Sequence, residues 1–318
     1  MSKISGFHHL TLSTGGVQED HDFHTRTLGL YSVKRTVLFD GVLPVYHLYC
    51  GARGGDASTI ITTFPFRKPA VYGRRGSNRS KVVPQAIAVG ATDFWVNRLG
   101  ERGIAAEKFT RFGRDRVAFL HPCGIPYELV ENSGDNRTPI TRSEQGIGPE
   151  HGIRGIHGAV VSVLDRADMD DVLTMALPLK KLADNHEGLA FEVPNGDGPT
   201  SMIEVLHEPG LAQGTWTLAG GTIRHLALNT GKEDNQLALR AQIEGLGFTD
   251  ISEQKDRMYF KSCYVRSPGG ALFKIAWTVP GGWAQDEPAD AIGSTLVFPP
   301  WFADRRDKMV AGLEPADF

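Results

Sequence analysis

Phe7-His8-His9-Leu10-Thr11-Leu12-Ser13 sets Leu10 and Leu12 against His9, Thr11 and Ser13, the alternation of a strand with one apolar and one polar face. Helical spacing follows in QEDHDFHTRTLGL (18–30) and stops at Leu28-Gly29, where glycine closes a helix. Two further strands are expected in VYHLYC (45–50) and STIITTF (58–64). This βαββ order decides the fold because it returns.

The second copy runs QAIAV (85–89), TDFWVNRLGERG with its Leu99-Gly100 stop, VAFLH (117–121) and IPYELVE (125–131). A third opens at His157-Gly158-Ala159-Val160-Val161 and continues through a helix near 168–177 to FEV (191–193) and SMIEVL (201–206). The fourth opens at His225-Leu226-Ala227-Leu228, passes through QLALRAQIEGLG with its Leu246-Gly247 stop, and ends on MYFKSCYVR (258–266) and ALFKIAW (271–277). A divergent internal repeat of this kind predicts an α+β protein of four βαββ modules forming two domains with curled mixed sheets. The Gly-, Pro- and Asn-rich stretch 132–150 reads as a linker. The expected division is an N-terminal domain at 1–135, a C-terminal domain at 150–280 and an unrepeated extension at 281–318. That extension carries Pro299-Pro300-Trp301-Phe302 and is expected to pack across the domains or at a subunit interface.

Of the 318 residues, 34 are Lys or Arg and 37 Asp or Glu, so no basic field exists to attract nucleic acid or an anionic membrane surface. No run approaches the roughly 18 apolar residues of a membrane span. The opening MSKISGFHHL lacks an apolar leader, and Cys50, Cys123 and Cys263 are an odd, widely spaced set without a CxxC pair. A cytoplasmic protein without a disulfide framework or structural zinc is expected. GARGGD (51–56) and YGRRGSN (72–78) match no nucleotide loop, and no GxSxG nucleophile motif occurs. The Arg- and Lys-rich stretch 67–81 reads as a solvated or pocket-rim loop, His24 as a solvated helix residue, and His121 draws no role.

The repeated module resembles that of the vicinal oxygen chelate superfamily, which includes glyoxalase I and the type I extradiol dioxygenases. More specifically, FHHLTLSTG, VKRTVLFDG, YHLYCG, TTFPFR, GSN, RFG, VLHEP, QGTWTLAGGTIRH, GFTD and YFKSCYVRSPGG, in this order, are similar to the ring-cleaving dioxygenases of hydroquinones and chlorohydroquinones. That resemblance implies an enzyme that takes a small hydroxylated aromatic substrate and O2, uses Fe(II), and assembles as a homodimer or homotetramer. It places the two histidine ligands at His9 and His225, with His8, Thr11, Arg257 and Tyr264 lining the substrate pocket. An arginine there is a permanent cation for a phenolate, and Tyr and His can exchange protons with a ring oxygen.

The chain departs from the family at one point. The family's carboxylate belongs in P-G-G-x-x-F-E, and here Pro268-Gly269-Gly270-Ala271-Leu272-Phe273 is followed by Lys274. An ammonium at that vertex repels a dication, so an ordinary site of two histidines and one carboxylate is not expected. Open alternatives are a nearby Glu253 or Asp256 supplying the acid, a neutral Lys274 ligating metal, or no metal at all. In the last case Lys274, beside Arg257 and Arg224, becomes a general base or amine nucleophile. A Lys274 that snorkels out of a dead site, and a non-catalytic protein that binds aromatic compounds, also stay open.

The same module logic predicts a second cup between modules two and three. Gln85, Glu128, His157 and Glu204 there are like the metal quartet of glyoxalase I, a set suited to octahedral Zn, Ni or Fe. The competing expectation is a structural hydrogen-bond cluster: two buried carboxylates need a cation or must point outward.

Overall fold

The computed structural model describes residues 3–39, 43–66, 72–194 and 201–318. Asp40 and Gly41 of VKRTVLFDG, Arg67 of TTFPFR and the 67–71 part of the basic loop lie outside them.

Each module holds one strand more than expected, giving βαβββ. The first consists of β1 (Phe7–Gly15), α1 (Val17–Asp22) continued by a π-helical turn at Phe23–Thr27, β2 (Tyr31–Val37), β3 (Tyr46–Gly51) and β4 (Ile60–Phe66). The second has β5 (Arg79–Ile87), α2 (Thr92–Glu101), β6 (Ala106–Arg111), β7 (Arg114–Leu120) and β8 (Pro126–Glu131). The two-residue β9 (Gly155–Ile156) precedes the third module of β10 (Gly158–Val163), α3 (Ala167–Asp171), β11 (Lys180–Asn185), β12 (Gly188–Val193) and β13 (Ser201–His207). The fourth has β14 (Thr222–Asn229), α4 (Glu233–Gly245), β15 (Lys255–Asp256), β16 (Phe260–Arg266) and β17 (Leu272–Thr278). The strands missed in sequence, β2, β6, β11 and β15, all lie at sheet edges, where charged residues interrupt the apolar alternation.

Two curled mixed sheets result. One runs β15-β16-β17-β14-β1-β4-β3-β2 and the other β11-β12-β13-β10-β5-β8-β7-β6. The first therefore joins modules one and four, and the second joins modules two and three. This corrects the division at 1–135 and 150–280, because each sheet takes one module from either side of the 132–150 stretch. The physical reason is edge pairing: β1 finds its antiparallel partner in β14, and β5 finds its own in β10. The 132–150 stretch is itself anchored, with Ile140 and Ile147 buried in the main core.

That core lies behind the sheets, where Leu10, Leu12, Leu226, Phe273 and Ile275 pack away from the cup. The extension covers module one. Phe302, Met309 and Leu313 of the C-terminal 3-10 turn and α5 (Arg306–Gly312) cluster with Val37, Tyr46 and Leu48, and Trp283 packs on Val33 and Tyr49. Buried Lys34 of β2 is neutralised by Asp286 and Glu287 from the same extension. Among the described residues no helix is long and apolar enough to cross a membrane.

Candidate functional site

Alternation along the first sheet aims one set of side chains into its hollow. His9 lies in register with Ala227, Ala227 with Lys274, and Lys274 with Tyr264, so one row crosses four strands; in the next row Thr62, Thr11 and His225 are neighbours. Residues on alternate positions share a face, which brings both ends of the chain to one place.

Two β-bulges enrich the hollow. Pairing jumps from Phe7–Leu228 to His9–Ala227, leaving His8 as an extra residue, and from Thr11–His225 to Leu12–Ile223, leaving Arg224 extra. A bulge re-aims side chains. Here it lets His8 Nδ1 sit 2.7 Å from His9 Nδ1 with its Nε2 3.0 Å from Thr278 Oγ1, and it makes Arg224 part of the cavity wall.

At the centre His9 Nε2 lies 3.3 Å from His225 Nε2 and 3.1 Å from Lys274 Nζ. Lys274 is 2% exposed, so it does not snorkel out. Its Nζ stands 4.3 Å from the Phe260 ring centre and 5.1 Å from that of Tyr264. Burial, reinforced by Arg257, drives the Lys274 amine well below the usual ammonium range. Burial and then the Lys274 charge also depress His9 and His225 strongly, and His8 to about 3. The centre is a set of neutral nitrogens beside cations. Arg257 Nε donates to the Tyr264 hydroxyl at 3.1 Å, and Thr11 bonds Thr62 through their hydroxyls at 2.9 Å.

The cavity has a volume of about 110 Å³. Of the anticipated residues all but His8, which is held against His9 and Thr278, line it, and it is further walled by Leu38, Phe39, His47, Phe64, Leu218 and Phe260. His47 was missed in sequence, although it and Tyr49 occupy alternate positions of VYHLYC; their side chains bond at 2.9 Å, and His47 Nε2 lies 3.1 Å from Thr62 Oγ1.

The resemblance implies Fe(II), and these residues do not fit the two-histidine, one-carboxylate set. Among the described residues no Asp or Glu lines the cavity. Glu253 instead accepts from Arg240 at 2.7 Å on an exposed surface, and Asp256 Oδ1 accepts the Met258 backbone N–H at 2.6 Å. Neither acid reaches the cup, and the third vertex is an amine.

The second cup brings Glu128 and Glu204 together and closes them with arginine. Arg111 grips Glu128 through both Nη atoms at 3.0 and 2.8 Å and gives Nε to Glu204 at 2.7 Å; Arg116 bonds Glu128 at 2.8 Å and Glu204 at 2.6 Å. The cation these carboxylates require is thus a pair of guanidinium groups from the β6–β7 hairpin. His157 and Gln85 are fully buried nearby, and neither side chain has a hydrogen-bond partner among the described residues. Burial, then Arg116, holds His157 well below its ordinary value.

His24 is buried, contrary to the solvated reading: its Nδ1 bonds the Asp20 carbonyl at 2.8 Å, and its Nε2 bonds Tyr127 Oη at 2.8 Å. Ligand atoms of Asp20, His24 and His121 lie within 4.8 Å of one another, yet both His24 nitrogens are already engaged. This cluster depends on contacts between modules one and two, and nothing in the local sequence announced it.

No family model matches the chain. It is 34% identical over 310 residues to the chlorohydroquinone/hydroquinone 1,2-dioxygenase of Sphingobium indicum, covering 97% of this chain and 95% of that protein. MhqO of Bacillus subtilis strain 168, provisionally named a ring-cleaving dioxygenase, is 32% identical over 98% of this chain and 97% of its own length. A crystal structure of a provisionally named dioxygenase from Bacillus subtilis superposes with a TM-score of 0.90 at 31% identity, covering 100% of this chain and 99% of that one. Glyoxalase I from Zea mays shares the fold with a TM-score of 0.60 at 13% identity, covering 85% of this chain and 92% of its own. The repeat, the cup and full-length similarity converge: the chain belongs to the family of ring-cleaving dioxygenases that includes the hydroquinone dioxygenases, on a fold of the vicinal oxygen chelate type.

Proposed function

We propose that the first cup binds one hydroxylated aromatic ring of the hydroquinone class and processes it, by ring cleavage with O2, at an altered centre in which Lys274 stands for the family's carboxylate. The observation that carries this reading is the Lys274 amine 3.1 Å from His9 Nε2, inside a cavity walled by aromatic and cationic side chains. A cavity of about 110 Å³ is on the scale of an engineered apolar cavity of about 150 Å³ that takes benzene. Phe39, Phe64 and Phe260 face the ring, while Arg257 and Arg224 attract a developing phenolate. A neutral amine at Lys274 accepts the hydroxyl proton, and Tyr264 with Thr11 orients the oxygen, while His8 holds His9 in place. The resulting phenolate is the electron-rich form of the ring.

The donor set also favours a second reading, metal-independent acid/base chemistry by Lys274 on such a ring or its cleavage product. Aromatic capture without turnover is the non-catalytic counterpart. Metal analysis of the purified protein, with O2 uptake and product formation on a panel of hydroquinones, separates the three. We expect substoichiometric iron in the wild type, iron binding restored by Lys274→Glu, and phenol turnover lowered about 10²–10⁴-fold by Lys274→Ala. Stoichiometric iron in the wild type at His9 and His225 overturns the altered centre. Turnover untouched by Lys274→Ala removes the amine from the chemistry, and binding without any product identifies capture.

A further inference from the structure

Between β7 and β8 the chain turns through Leu120-His121-Pro122-Cys123-Gly124, away from both cups. Cys123 Sγ lies 3.0 Å from His121 Nδ1, and His121 Nε2 lies 3.1 Å from Asp20 Oδ1. The Cys123 backbone N–H also points at Nδ1, at 3.1 Å, so in the neutral ring that nitrogen is the acceptor and Nε2 carries the proton, beside Asp20 Oδ1 but out of line for a hydrogen bond. Asp20 is fixed in turn by the Thr63 hydroxyl and is fully buried, as is the His121 side chain. Thiol, imidazole and carboxylate thus stand in the order nucleophile, base and orienting acid.

We propose that Cys123 is an activated nucleophile, paired with His121 and Asp20, and a site of covalent modification by soft α,β-unsaturated carbonyl electrophiles. His121 takes the thiol proton at Nδ1, and the sulfur attacks the β-carbon of the electrophile. One S–C bond forms, the π pair moves to the carbonyl oxygen as an enolate, and His121 returns its proton to the α-carbon. Nothing leaves and no oxidant is consumed.

Two further observations support the assignment. Cys123 is partly exposed, whereas Cys50 and Cys263 are buried. Gly124, at φ +85°, holds the turn against the Arg75 guanidinium, which places a cation beside the turn that carries the thiol. The groups facing the pair from neighbouring elements are Asp20 and His24 from α1 and the turn after it, Cys50 of β3, Thr63 of β4 and Tyr127 of β8. Burial is outweighed by the neighbouring Asp20 carboxylate and Cys123 sulfur, which lift His121 to about 9.

The test is alkylation of the full-length protein by N-ethylmaleimide, read by peptide mass spectrometry at all three cysteines from pH 5 to 9. An ordinary thiol, with a pKa of about 8.5, is roughly 0.3% ionised at pH 6. We expect Cys123 to react first, at pH 6 about tenfold or more faster than N-acetylcysteine, and His121→Gln or Asp20→Asn to return its rate–pH profile toward that of the free thiol. Should those variants fail to fold, Cys123→Ser serves instead: it must lower the His121 pKa followed by NMR. Reaction of Cys123 no faster than the free thiol, prior reaction of Cys50 or Cys263, or a His121 pKa unmoved by Cys123→Ser overturns the proposal.

Discussion

The two cups occupy equivalent places in two copies of one sheet, and they are filled in opposite ways. Lys274 sits four residues beyond Gly270, and Glu128 sits four beyond Gly124; both glycines turn at positive φ, +74° and +85°. In the first cup this position carries an amine among imidazoles, and a cavity remains open. In the second it carries a carboxylate, which two arginines cover completely. A scaffold that aims four side chains at one point does not dictate chemistry there; charge balance does. Where the cation comes from the protein itself the cup becomes structural, and where the described wall carries cations but no carboxylate it keeps room for an acidic ligand.

The sharpest way to break this contrast is to remove one basic side chain from each cup. Arg116→Met leaves two buried carboxylates with one guanidinium and should cost about 3–5 kcal/mol, read by urea denaturation. Lys274→Met in the first cup, by contrast, should change stability by less than about 1.5 kcal/mol, since burial already favours the neutral amine there. A mild Arg116→Met with a severe Lys274→Met would reverse the assignment of structural and functional cups.

Acid and base sharpen the comparison next. His24 has its folded pKa depressed to about 4, so stability it contributes is present above its unfolded value of 6.5 and lost as pH falls toward 4. The shift corresponds to roughly 3 kcal/mol, and the depressed imidazoles of the first cup act with the same sign. His121 is raised to about 9, so its contribution is full below 6.5 and disappears as pH rises through 9. Denaturation midpoints between pH 4 and 9 should therefore peak near 6.5, and a flat profile would disprove the buried histidine networks. A smaller effect belongs to Thr62→Val, which leaves Thr11 and His47 without a shared hydroxyl and should cost about 1 kcal/mol by the same denaturation assay.

Much of this arrangement was legible in the chain. The alternation from His9 to Ser13, the Leu-Gly helix stops and the recurrence of the module carried the fold, and an imidazole near each end of the sequence marked the first cup. The edge strands were not legible because residues such as Lys34 and Arg35 break the apolar rhythm of β2; Lys34 is tolerated there only through Asp286 and Glu287, some 250 residues away. The second cup was half legible: Glu128 and Glu204 announced a need for positive charge. That Arg111 and Arg116 would supply it depended on how the β6–β7 hairpin folds over. The division into sequential halves failed for a related reason, since strand partners are chosen by edge geometry and a linker-like composition at 132–150 says nothing about them. Asp20, His24, His121 and Cys123 gave no local signal at all, because α1 and the β7–β8 turn meet only in space.

The nesting of one sheet inside the other in chain order has a consequence for biosynthesis. All strands of the second sheet lie between Arg79 and His207, whereas β1 must wait for β14, which begins at Thr222. On a ribosome the inner half can complete its pairing while the first 66 residues still lack their partner edge. The first hollow consequently comes into existence after the second, and its assembly joins His9 to His225 across 216 positions, the kind of long-range contact that slows folding.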